Sequence, residues 1–274
     1  MTEEAVHKIQ DRLSPITVDS LKRDFSSLGL KAGMVLLVHS SLSSLGWVCG
    51  NSVAVIEALE SILTSEGTLV TPTYSGELSD PAYWQDPPVP ETWWQTIRDT
   101  MPAFQSDLTP SRSMGLIPET FRKQKGVLRS DHPQVSFAAW GKYAQQITSG
   151  HGLEFGLGEQ SPLARIYELQ GHVLLLGVGH ANNTSLHLAE YRANYPSKKI
   201  IQQGAPILVA SKRVWQIFAD LDTDDNDFET IGAAFAKETG LEQKGPIGLG
   251  EARLMPQRGL VDFAVSWMEK NRRL

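Results

Sequence analysis

Hydrophobic residues along the chain occur in blocks that alternate between strand-like and helix-like spacing. Residues 34–38 are continuously apolar, which is typical of a strand covered on both faces. Apolar side chains recur at helical spacing over residues 53–63, and a second strand-like run occupies residues 68–73. This order predicts a βαβ unit with a right-handed crossover, so the loop after the first strand opens at the carboxyl end of the sheet.

Further helices and strands are predicted around this unit. A helix over residues 17–30 is terminated by Gly29, and another starts near residue 117 with Pro118 in its first turn. Ser161 and either Asn226 or Asp227 are expected to cap helices. The other predicted elements are helices at 161–169, 228–239 and 260–270, strands at 135–140, 173–178 and 245–255, and a β-hairpin at 206–221 that turns near residues 211–213. Together they predict one α/β domain over residues 1–274, a three-layer α/β/α sandwich whose central sheet is mostly parallel with antiparallel additions.

Two stretches depart from this regular pattern. Residues 1–17 resemble a loosely held leader. Residues 75–110 contain several prolines and the aromatic residues Tyr83, Trp84, Trp93 and Trp94, with little periodicity. Because long irregular segments in compact domains are usually functional, we expect a loop-rich or partly helical insertion over the cleft. The alternative is a surface loop whose aromatic side chains only hold it in place.

Composition narrows the classes of protein that fit. The chain has 274 residues, a formal net charge of −6 and a single cysteine, Cys49, which excludes an internal disulfide. No apolar run approaches the roughly 18 residues that a membrane span needs, so we expect a cytoplasmic protein without a membrane partner. The negative charge argues against nucleic acid as a partner and fits a polycationic amine.

Residues 174–190 carry the clearest candidate chemistry, because a predicted buried strand runs there into a predicted helix. His187 and Glu190 are three residues apart and therefore lie on one face of that helix. Ligands of α/β proteins usually bind at the carboxyl ends of strands. A histidine beside a carboxylate can remove a proton near neutral pH. A single helical histidine is more often structural, so the pattern alone leaves both roles open.

Five sequence blocks occur in an order that covers nearly the whole chain. They are residues 39–46, 67–74, 129–133, 157–163 and 174–190. In this order they resemble the aminoglycoside 3-N-acetyltransferase family. The resemblance implies that the chain transfers an acetyl group from acetyl-CoA to the 3-amine of 2-deoxystreptamine in an aminoglycoside antibiotic. It also implies that His187 is the general base.

The resemblance implies roles for further residues. Glu190 either orients the imidazole or binds the substrate amine, and the spacing of three residues favours the amine. Asp222, within the acidic run at residues 220–227, matches an acidic position at the substrate site of the family. Ser113 and Gly115 fit close approach of the backbone to CoA, and Arg112 and Arg129 are candidates for its phosphates. The resemblance also implies that CoA is contacted by Ser40, Ser41, Ser43 and Gly46.

Several alternatives stay open at this stage. The acceptor could be a different small amine, or His187 could activate water in a CoA-thioester hydrolase. A third possibility is a relative that binds its ligand without turnover. His180 lies seven residues before His187, but the zinc motif His-Glu-x-x-His is absent, so no metal site is predicted. A homodimer is the default expectation for such an enzyme.

Overall fold

The computed structural model describes residues 15–85 and 87–273 of the chain. The strands are β1 (Val35–Ser40), β2 (Thr68–Pro72), β3 (Leu128–Arg129), β4 (Phe137–Gly141), β5 (His172–Leu176), β6 (Ile200–Val209), β7 (Lys212–Leu221), β8 (Gln243–Ile247) and β9 (Gly250–Pro256). The α-helices are α1 (Val18–Leu28), α2 (Asn51–Leu63), α3 (Glu91–Thr100), α4 (Leu116–Phe121), α5 (Ala144–Thr148), α6 (Pro162–Glu168), α7 (Ser185–Arg192), α8 (Phe228–Thr239) and α9 (Gln257–Asn271).

A mixed sheet of seven strands forms the centre of the fold, in the order β3-β4-β2-β1-β5-β9-β8. Strand β1 pairs in parallel with β2 on one side and with β5 on the other. The flanking pairings, from β2 to β4 and from β5 to β9, are antiparallel. The predicted βαβ unit, the α/β class and the antiparallel additions are therefore confirmed, and the parallel part is confined to the three central strands.

Both faces of this sheet are covered, because side chains along β1 alternate between two hydrophobic clusters. Leu37 belongs to the cluster that contains residues of α6, α7, α8 and α9, whereas Leu36 and Val38 belong to the cluster with α1 and α2. Alternate residues of a strand point to opposite faces, so a continuously apolar strand needs cover on both sides. Because β1, β2 and β5 are parallel, their carboxyl ends lie at the same edge of the sheet.

In two strand regions the observed bounds differ from the predicted ones. Residues 245–255 form two antiparallel strands, β8 and β9, so the prediction of one strand is wrong. The chain reverses at Gly248, whose φ of +62° is a left-handed conformation that favours glycine. The hairpin β6–β7 begins earlier than predicted, and its turn lies at Ala210 and Ser211 with φ values of +48° and +63°. Two such residues are typical of a type I′ turn.

The predicted helix caps are wrong in their contacts. Ser161 precedes α6, but its hydroxyl donates to the backbone oxygen of Gly158 at 2.6 Å. Asp227 precedes α8, but its carboxylate accepts hydrogen bonds from Arg272. Both side chains occupy the expected position and are directed to other partners, because a tertiary contact competes with the local cap.

The first residues of the fold lie within the predicted leader. Residues 1–14 of that leader are outside the described residues. Ile16 is buried and bridges to Val48, and Thr17 forms a reciprocal capping box with Ser20 at the start of α1. Ile16 and Thr17 are therefore part of the packed structure rather than of a leader.

The segment at residues 75–110 is partly helical, since it contains α3 and two short 3₁₀ turns. It packs on the β6–β7 hairpin through hydrogen bonds to backbone oxygens. The Tyr83 hydroxyl donates to Gln202 at 3.1 Å, and the Phe104 N–H donates to Pro206 at 3.1 Å. The hairpin and the segment support each other, and the position of the segment over a cleft stays a prediction. Within the described part of the chain, no helix is long and apolar enough to cross a membrane.

Two buried histidines, His132 and His151, stack with ring centroids 4.8 Å apart. The Nδ1 atom of His132 accepts from the Gln134 N–H at 3.1 Å, and its Nε2 atom donates to the Leu153 oxygen at 3.2 Å. The Nε2 atom of His151 donates to the Gly156 oxygen at 2.6 Å. The Nδ1 atom of His151 lies 2.9 Å from the Ser130 hydroxyl, which can donate to it, so both rings are satisfied as neutral imidazoles.

The fold should lose stability as the pH falls from 7 to 5. Burial lowers the pKa of His39 and His132 to about 3 and that of His151 to about 4. Between pH 6.5 and these values the unfolded chain binds protons that the folded chain does not, so lower pH favours unfolding. We expect a loss of about 2 kcal/mol for each ring at pH 5 relative to pH 7. Unfolding in guanidinium chloride at pH 5, 6 and 7 measures this, and an unfolding free energy independent of pH would contradict it.

Candidate active site

The central pair of the site is His187 and Glu190 on helix α7. The Nδ1 atom of His187 lies 2.5 Å from Oε2 of Glu190. The carboxylate accepts, so Nδ1 carries the proton and Nε2 is left with the lone pair of a base. The Glu190 side chain is 0 % exposed and the His187 side chain 15 %. This carboxylate is buried and holds the imidazole, which favours the orienting role of Glu190, and its contact with a substrate amine stays a prediction.

The second oxygen of Glu190 is held from the far end of the chain. Oε1 accepts from the Arg272 guanidinium at 2.6 Å and from the Asp224 N–H at 2.9 Å. Arg272 is also bonded to Asp227 at 2.7 and 2.8 Å. Burial alone would lower the pKa of Arg272, but its bonds to Asp227 and Glu190 raise it above the usual value. This network fixes a buried anion directly behind the imidazole.

The His187 ring has further close neighbours. Its centroid lies 4.9 Å from that of Phe228. On the sheet side, Nε2 of His39 lies 3.3 Å from the hydroxyl of Thr184, the residue before α7. The pKa of His39 is lowered to about 3 by burial and by the charge of His187. His39 is therefore neutral near neutral pH.

Asp220, at the end of β7, is the acidic residue of the 220–227 run that interacts electrostatically with His187. Its carboxylate accepts from the Tyr191 hydroxyl and from the Leu221 N–H, the latter at 2.8 Å. Burial raises its pKa, and these hydrogen bonds and the charge of His187 act in the opposite direction. Asp222 is exposed, and among the described contacts its carboxylate has no bond to His187. Sequence analysis missed Asp220, although it is the member of the run that falls within a strand.

A cavity of about 520 Å³ lies at the carboxyl end of β1. It collects six of the eight predicted CoA contacts, together with Trp47 and Asn51, which sequence analysis missed. The six are Ser40, Ser41, Ser43, Gly46, Ser113 and Gly115. The Ser40 hydroxyl is buried and has no hydrogen-bond partner among the described residues. An open cavity with serine hydroxyls and an orphaned buried donor fits the polar pantetheine arm of CoA.

Two loops approach each other closely to form this cavity. Gly115 has a φ of +86°, and a Cβ atom built on it would lie 3.7 Å from the backbone oxygen of Ser40. Ser113 also has a left-handed φ of +60°, which is uncommon for a residue other than glycine. The loop at residues 113–115 is thus folded back against the end of β1, as expected for a loop that binds a ligand through its backbone.

The two predicted arginines differ in their surroundings. Arg129 donates hydrogen bonds to Thr73, Ser136, Ser106 and Thr109 through all three of its guanidinium nitrogens. Burial lowers its pKa to about 10. Its hydrogen bonds hold internal loops together, so they do not support a contact with a CoA phosphate, which stays an untested prediction.

Arg112 is exposed and precedes Ser113, which lines the cavity. Its backbone N–H donates to the Tyr74 oxygen at 2.8 Å. The guanidinium is thus carried by a loop that is fixed to the end of β2. Its contact with CoA phosphates stays a prediction.

His180 belongs to a separate buried pair. Its Nε2 atom lies 2.7 Å from Oε2 of Glu242, and each side chain is 1 % exposed. In residues 15–85 and 87–273, no three histidine, cysteine, aspartate or glutamate side chains come together as a possible metal site. His180 therefore has a structural partner and does not join His187.

The sequence and the fold of this chain are matched in known proteins. The family model described as aminoglycoside 3-N-acetyltransferase matches residues 37–269. The chain belongs to this family. It is accordingly an acyltransferase, as the five sequence blocks imply.

Individual members of the aminoglycoside 3-N-acetyltransferase family cover nearly the full chain. The SPbeta prophage-derived aminoglycoside N(3')-acetyltransferase-like protein YokD of Bacillus subtilis is 49 % identical over 96 % of both chains. Its crystal structure superimposes with a TM-score of 0.92 and covers 96 % of each chain. Aminoglycoside N(3)-acetyltransferase VII of Streptomyces paromomycinus is 34 % identical and covers 98 % of this chain and 96 % of its own. AAC-IIIb, solved as a binary complex with CoASH, is 30 % identical, with a TM-score of 0.86 over 95 % of this chain and 98 % of that one.

Proposed function

We propose that this enzyme transfers the acetyl group of acetyl-CoA to the 3-amine of 2-deoxystreptamine in an aminoglycoside, with His187 as general base. The hydrogen bond of 2.5 Å between His187 and buried Glu190 carries the proposal, because it leaves Nε2 free to accept a proton. The cavity at the end of β1 supports acetyl-CoA as the acyl donor. The CoASH complex of AAC-IIIb and the name of the Streptomyces enzyme support the same donor and the class of acceptor.

In the proposed reaction, His187 transfers one proton while a C–N bond replaces the C–S bond of the thioester. His187 removes a proton from the amine as its nitrogen attacks the thioester carbonyl carbon, so a C–N bond forms and the C–S bond breaks. The proton then passes from His187 to the departing thiolate, which leaves as CoASH. Glu190 holds the reactive tautomer and stabilises the positive charge of the imidazolium between these transfers.

The charge of the chain favours an acceptor with several amino groups. The net charge is −6, and Asp222 and Asp225 in the acidic run before α8 are exposed. Exposed carboxylates near a cleft raise the local concentration of polycations and speed their association. We propose that Asp222 contacts a substrate amine and that Arg112 contacts a CoA phosphate. We also propose that the enzyme acts in the cytoplasm, where acetyl-CoA is made, and as a homodimer.

A substrate panel tests this function. We expect release of CoASH from acetyl-CoA with kcat on the order of 1–10³ s⁻¹ in the presence of 2-deoxystreptamine aminoglycosides. A thiol-reactive chromophore measures the rate, and NMR of the product locates the acetyl group. Streptomycin, whose aminocyclitol is not 2-deoxystreptamine, is the matched control and should give no turnover.

Two results of the panel would contradict the proposal. Equal CoASH release without any amine would indicate a CoA-thioester hydrolase. Turnover of simple amines but not of aminoglycosides would place the acceptor in another class of small amine.

A further inference from the structure

The hydroxyl of Tyr74 is a buried polar group that the proposed function has not used. Tyr74 follows β2, and its ring packs edge-on against Phe137 with centroids 5.6 Å apart. Its oxygen is buried and has no partner in hydrogen-bond geometry among the described residues. The Thr184 hydroxyl is near enough to affect the pKa of Tyr74, which burial raises above its usual value. A buried donor left unpaired destabilises a fold, so such groups often have a function.

The side chain of Tyr74 lies on the same face of the sheet as the catalytic pair. It packs on the hydrophobic cluster that contains Leu186 and Phe228, and the ring of His187 contacts Phe228 with centroids 4.9 Å apart. The backbone N–H of His187 donates to the oxygen of Thr184 at 3.1 Å, so the hydroxyl beside Tyr74 is fixed to the helix of the base. The Tyr74 hydroxyl therefore lies near Thr184, the residue that precedes the helix of His187.

The backbone of Tyr74 is fixed to the CoA cavity. Its oxygen accepts from the Arg112 N–H at 2.8 Å, and the next residues of that loop, Ser113 and Gly115, line the cavity. Tyr74 thus lies between the acyl-donor cavity and the helix of the base. The unpaired hydroxyl of Ser40 differs, because it is itself part of the cavity wall.

We infer that the Tyr74 hydroxyl donates a hydrogen bond to the thioester carbonyl oxygen while the amine attacks, a role that rests on the proposed function. When the amine nitrogen bonds to the carbonyl carbon, the π electrons move onto the oxygen, which gains negative charge. When the C–S bond breaks, they return and the thiolate takes the proton from His187. A fixed donor in a dry site stabilises this transient charge more than water does. The phenol keeps its proton throughout.

Tyr74→Phe tests this role, because it removes the hydroxyl and keeps the ring. We expect kcat to fall about 100-fold, as for the loss of one donor to a developing oxyanion. The Kd for CoASH, measured by calorimetry, should stay within about twofold. The thermal midpoint of the free enzyme should be unchanged or higher, since an unpaired buried donor is removed. Tyr167→Phe is the matched control, because its hydroxyl bonds to Asp262 at 2.6 Å on the outer helices and its loss should leave kcat unchanged.

His187→Gln, measured in parallel, separates this inference from the proposed function. Full activity of His187→Gln would overturn the general-base mechanism itself. An inactive His187→Gln beside a Tyr74→Phe with kcat within threefold of the parent would overturn only the role of Tyr74. A CoASH affinity weakened as much as kcat would also overturn it, because Tyr74 would then be a binding contact.

Discussion

Replacing His187 by glutamine is expected to lower kcat by about 10²- to 10⁴-fold, the usual contribution of a positioned general base. Free alkylamines are protonated near neutral pH, so the attacking nitrogen needs an acceptor for its proton. Glutamine keeps polar contacts to Glu190 but has no basic nitrogen. Binding of CoASH should be unchanged, because the serine-lined cavity does not include residue 187. Steady-state rates at saturating acetyl-CoA and calorimetric titration with CoASH measure the two quantities.

The control for this variant is His180→Gln. His180 is also a buried histidine paired with a glutamate, at 2.7 Å from Glu242, but it lies outside the proposed site. His180→Gln should lower stability and leave kcat unchanged once the protein is folded. Comparable losses of kcat in both variants would indicate a general effect of buried histidine–glutamate pairs and would contradict the assignment of His187.

Replacing Glu190 by glutamine is expected to lower kcat by about 10³- to 10⁴-fold, by analogy with the loss of the buried carboxylate behind a catalytic histidine. The amide cannot stabilise the imidazolium and can hold the wrong tautomer. The pH dependence of kcat/KM should also change, because the substitution removes the negative charge beside the imidazole. Rates measured from pH 5 to 9 report both effects.

Glu190→Gln should also reduce the free energy of unfolding. Breaking a buried ion pair costs about 3–5 kcal/mol in general, and Arg272 here keeps Asp227 as a second partner, so the lower end is expected. Glu242→Gln is the matched control, because it alters the other buried histidine–glutamate pair and should change stability without shifting the pH profile. An unchanged pH profile in Glu190→Gln would show that Glu190 does not influence the base.

The α/β architecture and the position of His187 followed from local sequence patterns. Continuous apolar runs of β1 and β5 require cover on both faces, and the carboxyl ends of such strands bring His187 and the serine-rich loop to one edge. The hairpin of β8 and β9 was predicted as one strand, although Pro246 and Gly248 interrupt the apolar pattern there. These features depend on neighbours close in sequence.

The contacts that could not be predicted from the sequence join residues that lie far apart in the chain. Glu190 turns toward His187 because Arg272, 82 positions later, fixes its other oxygen. Arg129 was expected at a phosphate, but its partners include backbone oxygens of Ser106 and Thr109, which no side-chain pattern reveals. The unpaired hydroxyl of Tyr74 likewise has no signal in the sequence. Tertiary contacts of this kind decide which polar residues are free to meet a ligand.

The contact between Arg272 and Glu190 has a consequence for biosynthesis. Glu190 is held beside His187 by Arg272, which directly follows α9. In a nascent chain this ion pair cannot form until residue 272 has emerged from the ribosome and α9 has packed against the fold. The serine-lined cavity at the end of β1 also depends on later residues, because backbone hydrogen bonds to Leu176 and Leu249 hold its loop at residues 41–45. The proposed base and the proposed acyl-donor cavity are thus both completed late in synthesis.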